Sequence, residues 1–280
     1  MSIALQVALV MVTILVVLLV IGAPIGVAIG MSSAVSMICM IPADVSFATS
    51  AQRIFAGSNS FSLIAIPFFI LAGNIMNNGG IATRLVNCAK VISGRMPGAL
   101  AQSNVVANML FGAISGSGAA AAAAMGGTIG PLEEKEGYDK NYSTAVNVAS
   151  APVGMLIPPS NTMIVYSSVA GSVSIAALFM AGYIPGLLWG GAVMILAGIM
   201  AKKRGYQAEQ RVPVKVALKT FWQAIPSLLL IVIVIGGILG GIFTATEGSA
   251  IAVVYATVLS LIYKAFKIKD IPRIVLEAAK

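Results

Sequence analysis

The stretch ALAQSNVVANMLFGAISGSGAAAAAAMGGTIGP, residues 99–131, decides the fold of this 280-residue chain. It carries no Asp, Glu, Lys or Arg over a length that marks a membrane segment. Ser115-Gly116-Ser117-Gly118 interrupts it. That leaves Ala99 to Ile114 as one arm and Ala119 to Pro131 as another. At ~1.5 Å per residue each reaches roughly 20–24 Å, short of the ~30 Å hydrocarbon core. Two short arms around a Ser/Gly turn predict a re-entrant helical hairpin whose tip lies deep in the membrane. The second arm begins with Ala119 to Gly127, nearly all Ala and Gly, which lets backbones approach closely. The alternative is one long helix kinked at its glycines.

The charges around the stretch favour the hairpin. Bases collect at Arg84, Lys90 and Arg95, at Lys202-Lys203-Arg204 with Arg211, Lys215 and Lys219, and at Lys264, Lys267, Lys269 and Arg273. The positive-inside rule places all three groups in the cytoplasm. Segments 221–243 and 248–263 then run out and back, 175–200 runs inward, and 142–171 runs outward. Glu133 to Glu136, Asp139 and Lys140 are therefore inside, like Arg84 to Arg95 on the other side of 99–131. The stretch must enter and leave on one face. Counting back, 60–78 runs inward, 23–42 outward and 3–21 inward, with an external loop at Asp44 and Arg53. The N-terminus is expected outside, delivered there by a partner or a fused segment. Residues 1–78 thus read as N-terminal membrane helices and 79–98 as an amphipathic arm. Residues 99–200 read as hairpin, broken helix and following span, 201–220 as a cytoplasmic linker or arm, and 221–280 as the start of a further half.

Composition agrees. Hydrophobic residues make up 59% and charged residues 9%, about a third of the ~25% usual for soluble domains. The fold class is all-α and polytopic in the lipid bilayer. With no His there is no His-based triad, His-ligated metal or His proton relay. Cys39 and Cys88 are too few for a disulfide or metal framework and read as small apolar residues in packed helices. The net charge of +8 flanks apolar segments, so it reports topology and not a nucleic-acid partner. Trp189 reads as an interior filler and Trp222 as an interfacial anchor.

A second interruption lies at Ile157-Pro158-Pro159-Ser160-Asn161-Thr162, inside the uncharged segment 142–171. Two prolines remove amide donors and disfavour helix in the residues before them, so the helix breaks there. Ser160, Asn161 and Thr162 then stand at a new helix N-terminus as good caps. Irregular backbone at membrane depth is tolerated where it is buried or lines a cavity. Ser115, Gly116, Ser117, Gly118, Pro158, Pro159, Ser160, Asn161 and Thr162 are accordingly the candidate ion and substrate residues. Freed carbonyls and the hydroxyls of Ser115, Ser117, Ser160 and Thr162 are hard oxygens suited to Na+, and half-helix N-termini suit an anionic substrate. No carboxylate lies within an assigned span, which favours Na+ over protons as the coupling ion. No cofactor and no catalytic residue is expected.

Several motifs in order resemble one transporter family. These are Ser60 to Gly73 (SFSLIAIPFFILAG), Ser115 to Gly118, Ile157 to Ser160, Leu178 to Gly186 (LFMAGYIPG) and Gly241 to Glu247 (GIFTATE). The chain resembles the large membrane subunit, DctM type, of tripartite ATP-independent periplasmic (TRAP) transporters over nearly all its length. The resemblance implies an elevator-type transporter of two inverted halves, each with a re-entrant hairpin and a broken helix. It implies Na+-coupled uptake of organic acids across the bacterial inner membrane, with a small membrane subunit and a periplasmic substrate-binding protein as partners. It makes Ser115 to Gly118 the first hairpin tip and Pro158 to Thr162 the first broken helix, together holding one Na+ and part of the substrate site. The Asp that many relatives carry after Ser-Gly-Ser is replaced here by Ala119 to Ala124. A second hairpin and second broken helix are expected beyond Lys280, so the chain reads as an incomplete subunit. The alternatives are a channel-like or scaffolding membrane protein without coupled transport, or an inactive fragment.

Overall fold

A computed structural model describes residues 3–171, 173–206 and 213–279. The chain divides at Ser60 into two units. In the first, α1 (Ile3–Val20) is apolar but for the exposed Gln6 and Thr13 and buries no residue. Gly22 and Pro24 turn the chain into α2 (Ile25–Ile38), and Pro42 opens α3 (Ala43–Ser58). Pro42 disfavours helix at Ile41, which is why α2 stops short. Its 14 residues reach about 21 Å, too short for the span expected at 23–42. The expected external loop is instead α3, tied to α2 by Ser46 Oγ donating to the Ala34 carbonyl at 2.7 Å. Cys39 is exposed just past α2, contrary to expectation, whereas Cys88 is buried.

In the second unit a short turn at Phe61–Ile64 leads into α4 (Ala65–Asn78), then α5 (Ile81–Ser93). The hairpin follows as α6 (Ala99–Ser115) and α7 (Gly118–Thr128), and α8 (Gly130–Lys135) closes its base. The broken helix comprises α9 (Lys140–Ser150), α10 (Val153–Leu156) and α11 (Asn161–Ala170). Beyond it are α12 (Ile175–Arg204), α13 (Val214–Leu239), α14 (Ala245–Ile262) and α15 (Ile271–Ala279). Among the described residues, α1, residues 61–78, α12, α13 and α14 are long and apolar enough to cross a membrane. The pair 140–156 and 161–170, bent by 47°, makes a sixth. Six of the seven expected spans are thus present, and the chain is an all-α multi-pass membrane protein.

Burial is inverted relative to a soluble fold. Ile184 and Leu188 on α12 are 70% exposed, while Asn104, Asn108, Ser150 and Ser160 are fully buried. That is the arrangement expected when the surroundings are lipid and the polar groups must find partners inside. Trp189, expected inside, is half-exposed and donates its indole N–H to the Ala149 carbonyl at 3.0 Å, a carbonyl freed near the end of α9. Trp222 is exposed near the start of α13.

The amphipathic helix α5 buries Ile81, Leu85, Val86 and Ala89 against neighbouring helices of its own unit. Of the expected linker or arm at 201–220, residues 201–204 end α12 and residues from Val214 onward form the first turns of α13. The expected linker residues 207–212 fall outside the described residues. At the other end of α13 the Gly241–Glu247 motif is a capping box. The Glu247 carboxylate accepts from the Thr244 N–H at 2.7 Å, and Thr244 Oγ1 accepts from the Glu247 N–H at 3.3 Å. Thr244→Ala is expected to lower stability by about 1 kcal/mol, read as a fall in thermal unfolding midpoint in detergent.

Candidate functional site

The hairpin is formed because Gly116 adopts a left-handed conformation (φ 62°) that ends α6. Ser117 is extended and caps α7, its hydroxyl accepting from the Ala120 N–H at 3.3 Å. The arms of 17 and 11 residues span about 26 and 17 Å, so neither crosses the hydrocarbon core. Both ends of the hairpin meet Tyr206, just past α12. Gly98 N–H donates to the Tyr206 carbonyl at 3.3 Å, and Tyr206 Oη accepts from the Asp139 N–H at 2.8 Å. Arg204 pairs with Asp139 at 3.2 Å, and Tyr138 stacks on Tyr206 with ring centroids 4.3 Å apart. The stretch therefore returns to the end from which it started, which disposes of the single kinked helix.

At the far end, the tip meets the helix break. Ile157 is extended, the Pro158–Pro159 peptide is cis, and Ser160 caps α11 by accepting from the Met163 N–H at 3.4 Å. The Ser160 hydroxyl in turn donates to the Met155 carbonyl, one of those freed by the break. Asn161 N–H donates across to the Gly116 carbonyl at 3.4 Å. A side chain on Gly116 would lie 3.1 Å from the Asn161 amide, so glycine is needed there for space as well as for its φ. Two helix C-ends and two helix N-ends converge at this junction. The C-ends offer carbonyl oxygens to a hard cation, and the N-ends offer N–H groups to an anion.

Three close backbone approaches build the junction. Gly73 of α4 lies against Ser115, with an ideal Cβ only 2.9 Å from the Ser115 Cβ. Gly112 and Gly154 bring α6 onto α10, where a Cβ on either would sit 2.3–2.4 Å from the other's Cα. Gly182 and Gly186 of α12 press on Leu156 and Ile157 at the break. The motifs at 60–73 and 178–186 are thus packing surfaces for the tip and the broken helix.

The predicted residues divide as follows. Ser115, Gly116, Gly118, Pro158, Pro159 and Ser160 are buried, Ser117 and Asn161 are half-buried, and Thr162 is exposed. Ser160 is already engaged as donor and acceptor. Asn161 Oδ1 is buried without a hydrogen-bond partner, which makes it the junction's unsatisfied oxygen. A polar seam between α6 and α9 went unread in the sequence. Asn108 Nδ2 lies 2.9 Å from both Asn104 Oδ1 and Asn147 Oδ1 and 2.8 Å from Ser150 Oγ, and Asn147 Nδ2 donates to the Ala122 carbonyl at 2.8 Å. The four-residue spacing of Asn104 and Asn108 in an apolar arm was the available signal. Glu133 was read as an ordinary cytoplasmic charge, but it is buried at 1% exposure, so a buried carboxylate is present after all.

A re-entrant hairpin joined tip-to-break with a discontinuous helix defines a membrane permease fold. Residues 12–280 match the family described as "Tripartite ATP-independent periplasmic transporter, DctM component", and the chain belongs to it. It is 51% identical over 247 residues to the uncharacterized protein YgiK of Salmonella typhimurium, covering 88% of this chain and 57% of that one. It is 38% identical over 245 residues to the C4-dicarboxylate TRAP transporter large permease protein DctM of Rhodobacter capsulatus (82% and 56%). To the sialic acid TRAP transporter large permease protein SiaM of Vibrio cholerae it is 40% identical over 217 residues (76% and 50%). The chain spans about half the length of these curated relatives. The DctM and SiaM relatives are named as transporter permeases, not enzymes.

Proposed function

We propose that the chain forms one half of the transport site of a Na+-coupled TRAP permease for organic acids. It would act in the bacterial inner membrane with its N-terminus periplasmic. A small membrane subunit and a periplasmic substrate-binding protein would be its partners. The carrying observation is the tip-to-break junction, where Asn161 bonds Gly116 and keeps a buried, unpaired Oδ1 beside the carbonyl ends of α6 and α10. An orphaned oxygen among carbonyls and hydroxyls suits a dehydrated monovalent cation, and it moves weight from Thr162 to Asn161 in the expected ligand set. The N-ends of α7 and α11 suit the acid group of the substrate. Relatives are named for C4-dicarboxylate and sialic acid, which supports organic acids as the class. In the elevator mode that the family resemblance implies, this half would move as a unit and a second hairpin would complete the site.

The test is uptake into proteoliposomes holding the full-length assembly. Asn161→Ala and Ser115→Ala are each expected to raise the Na+ concentration for half-maximal uptake about tenfold, the loss of ~1.4 kcal/mol of cation binding. Unchanged Na+ dependence in both variants overturns the assignment and leaves the channel-like or scaffolding reading.

A further inference from the structure

The base of the hairpin holds polar groups that the junction does not use. Glu133, on the short helix α8, is 1% exposed, and its carboxylate oxygens find no partner of normal hydrogen-bond geometry, Ser143 and Asn104 being the donors near enough to act on it. Among the described residues it makes no ion pair. It lines a cavity of about 340 Å³ together with Asn104, Ser143, Asn147 and the exposed Lys140. Ser143 Oγ and Asn104 Nδ2 are likewise buried and unpaired. Three separate elements, α6, α8 and α9, therefore bring these polar groups together beside one cavity.

A buried carboxylate with no charged partner is costly, and a proton at low pH or a bound cation at higher pH offsets that cost. Lys140 is exposed on the wall and does not pair with it. The Glu133 carboxylate and the Ser143 hydroxyl supply hard oxygens, and the volume leaves room for several waters at ~30 Å³ each. A single buried carboxylate suits one positive charge. A divalent ion takes more acidic oxygens, and no group of three or more acidic, Cys or His residues that could hold a metal ion is present among the described residues.

We propose that the Glu133 cavity is a binding site for a monovalent metal cation, Na+, separate from the tip junction. Asn104, Asn108, Asn147 and Ser150 extend the polar surface from this cavity along the α6–α9 seam. The site is thus continuous with the interior of the hairpin. The inference stands on the cavity and does not require the junction to bind Na+.

The experiment is equilibrium binding of radiolabelled Na+ to the purified 280-residue chain in detergent at pH 8, with choline balancing ionic strength. Wild type, Glu133→Gln and Asn161→Ala are compared. Glu133→Gln is expected to lose one bound Na+ per chain, while Asn161→Ala keeps that ion. A Glu133→Gln chain that binds Na+ like wild type overturns the proposal, whatever Asn161→Ala does. Loss in Glu133→Gln with no change in Asn161→Ala supports the cavity and instead counts against the junction. If Glu133→Gln does not fold, Ser143→Ala decides. About a tenfold weaker Na+ affinity, one ligand's contribution of ~1.4 kcal/mol, supports the site, and wild-type affinity overturns it.

Discussion

Gly112→Val is expected to destabilise the chain by about 3 kcal/mol or more and to abolish uptake by the assembly that contains it. The reason is geometric. An ideal Cβ on Gly112 would stand 2.3 Å from the Gly154 Cα and 3.3 Å from its carbonyl carbon and nitrogen. The obstacle is backbone on both sides, so no rotamer change relieves it. Helix α6 must move away from α10, and that motion pulls the tip, three residues on, away from the Asn161 N–H that bonds Gly116. Small residues at such crossings hold membrane helices by close van der Waals packing, and little hydrophobic driving force between helices would offset the loss. Gly127→Ala on α7 is the control. Nothing lies within 4 Å of a Cβ there, and Ala in place of Gly favours helix by up to ~1 kcal/mol. The thermal midpoint in detergent should fall for Gly112→Val and hold or rise for Gly127→Ala. Equal behaviour of the two variants would show that the α6–α10 crossing does not hold the hairpin.

The contrast between these glycines also marks the limit of the sequence reading. The hairpin was legible because arm length, turn chemistry and charge parity are one-dimensional quantities. Ser115 to Gly118 and Pro158 to Ser160 could be found for the same reason, since turns and breaks are local. That Gly116 bonds Asn161 across the fold was not legible in spacing, though two irregular segments at membrane depth had reason to share a cavity. Gly112 and Gly154 looked like any other glycines in Gly-rich helices, because close approach belongs to pairs of elements. The span at 23–42 was misjudged for a local reason: Pro42 disfavours helix just before it, so α2 ends at Ile38 within a run whose composition alone is long enough. Glu133 was misjudged for a tertiary one. In the run Glu133-Glu134-Lys135-Glu136, three of the four side chains are exposed and one turns inward beneath α6, which composition cannot tell apart.

Glu133 also carries the second large effect. In Na+-free choline buffer, wild type is expected to lose about 3 kcal/mol of stability between pH 4.5 and pH 8 that Glu133→Gln does not lose. Burial pushes the Glu133 carboxyl from its ordinary value up to about 7, against a smaller opposite influence of Ser143 and Asn104. α8 lies outside the membrane-spanning segments, so an aqueous reference is the right one. Between pH 4.5 and 7 the folded chain holds a proton on Glu133 that the unfolded chain has released. Stability therefore falls as pH rises through this window and flattens above it. The groups facing the carboxyl are Glu134, Tyr138 and Lys140 on the cavity wall and Tyr142 of α9, with Arg204 of α12 against the Tyr142 ring at 5.4 Å. Ordinary carboxylates titrate below the window, and lysines and tyrosines above it. The chain has no His, the one side chain whose ordinary value falls inside the window, so the difference between the two variants isolates a single group. Thermal unfolding midpoints at pH 4.5, 6 and 8 measure it. Parallel pH profiles for wild type and Glu133→Gln would mean that the carboxyl is not buried at the hairpin base.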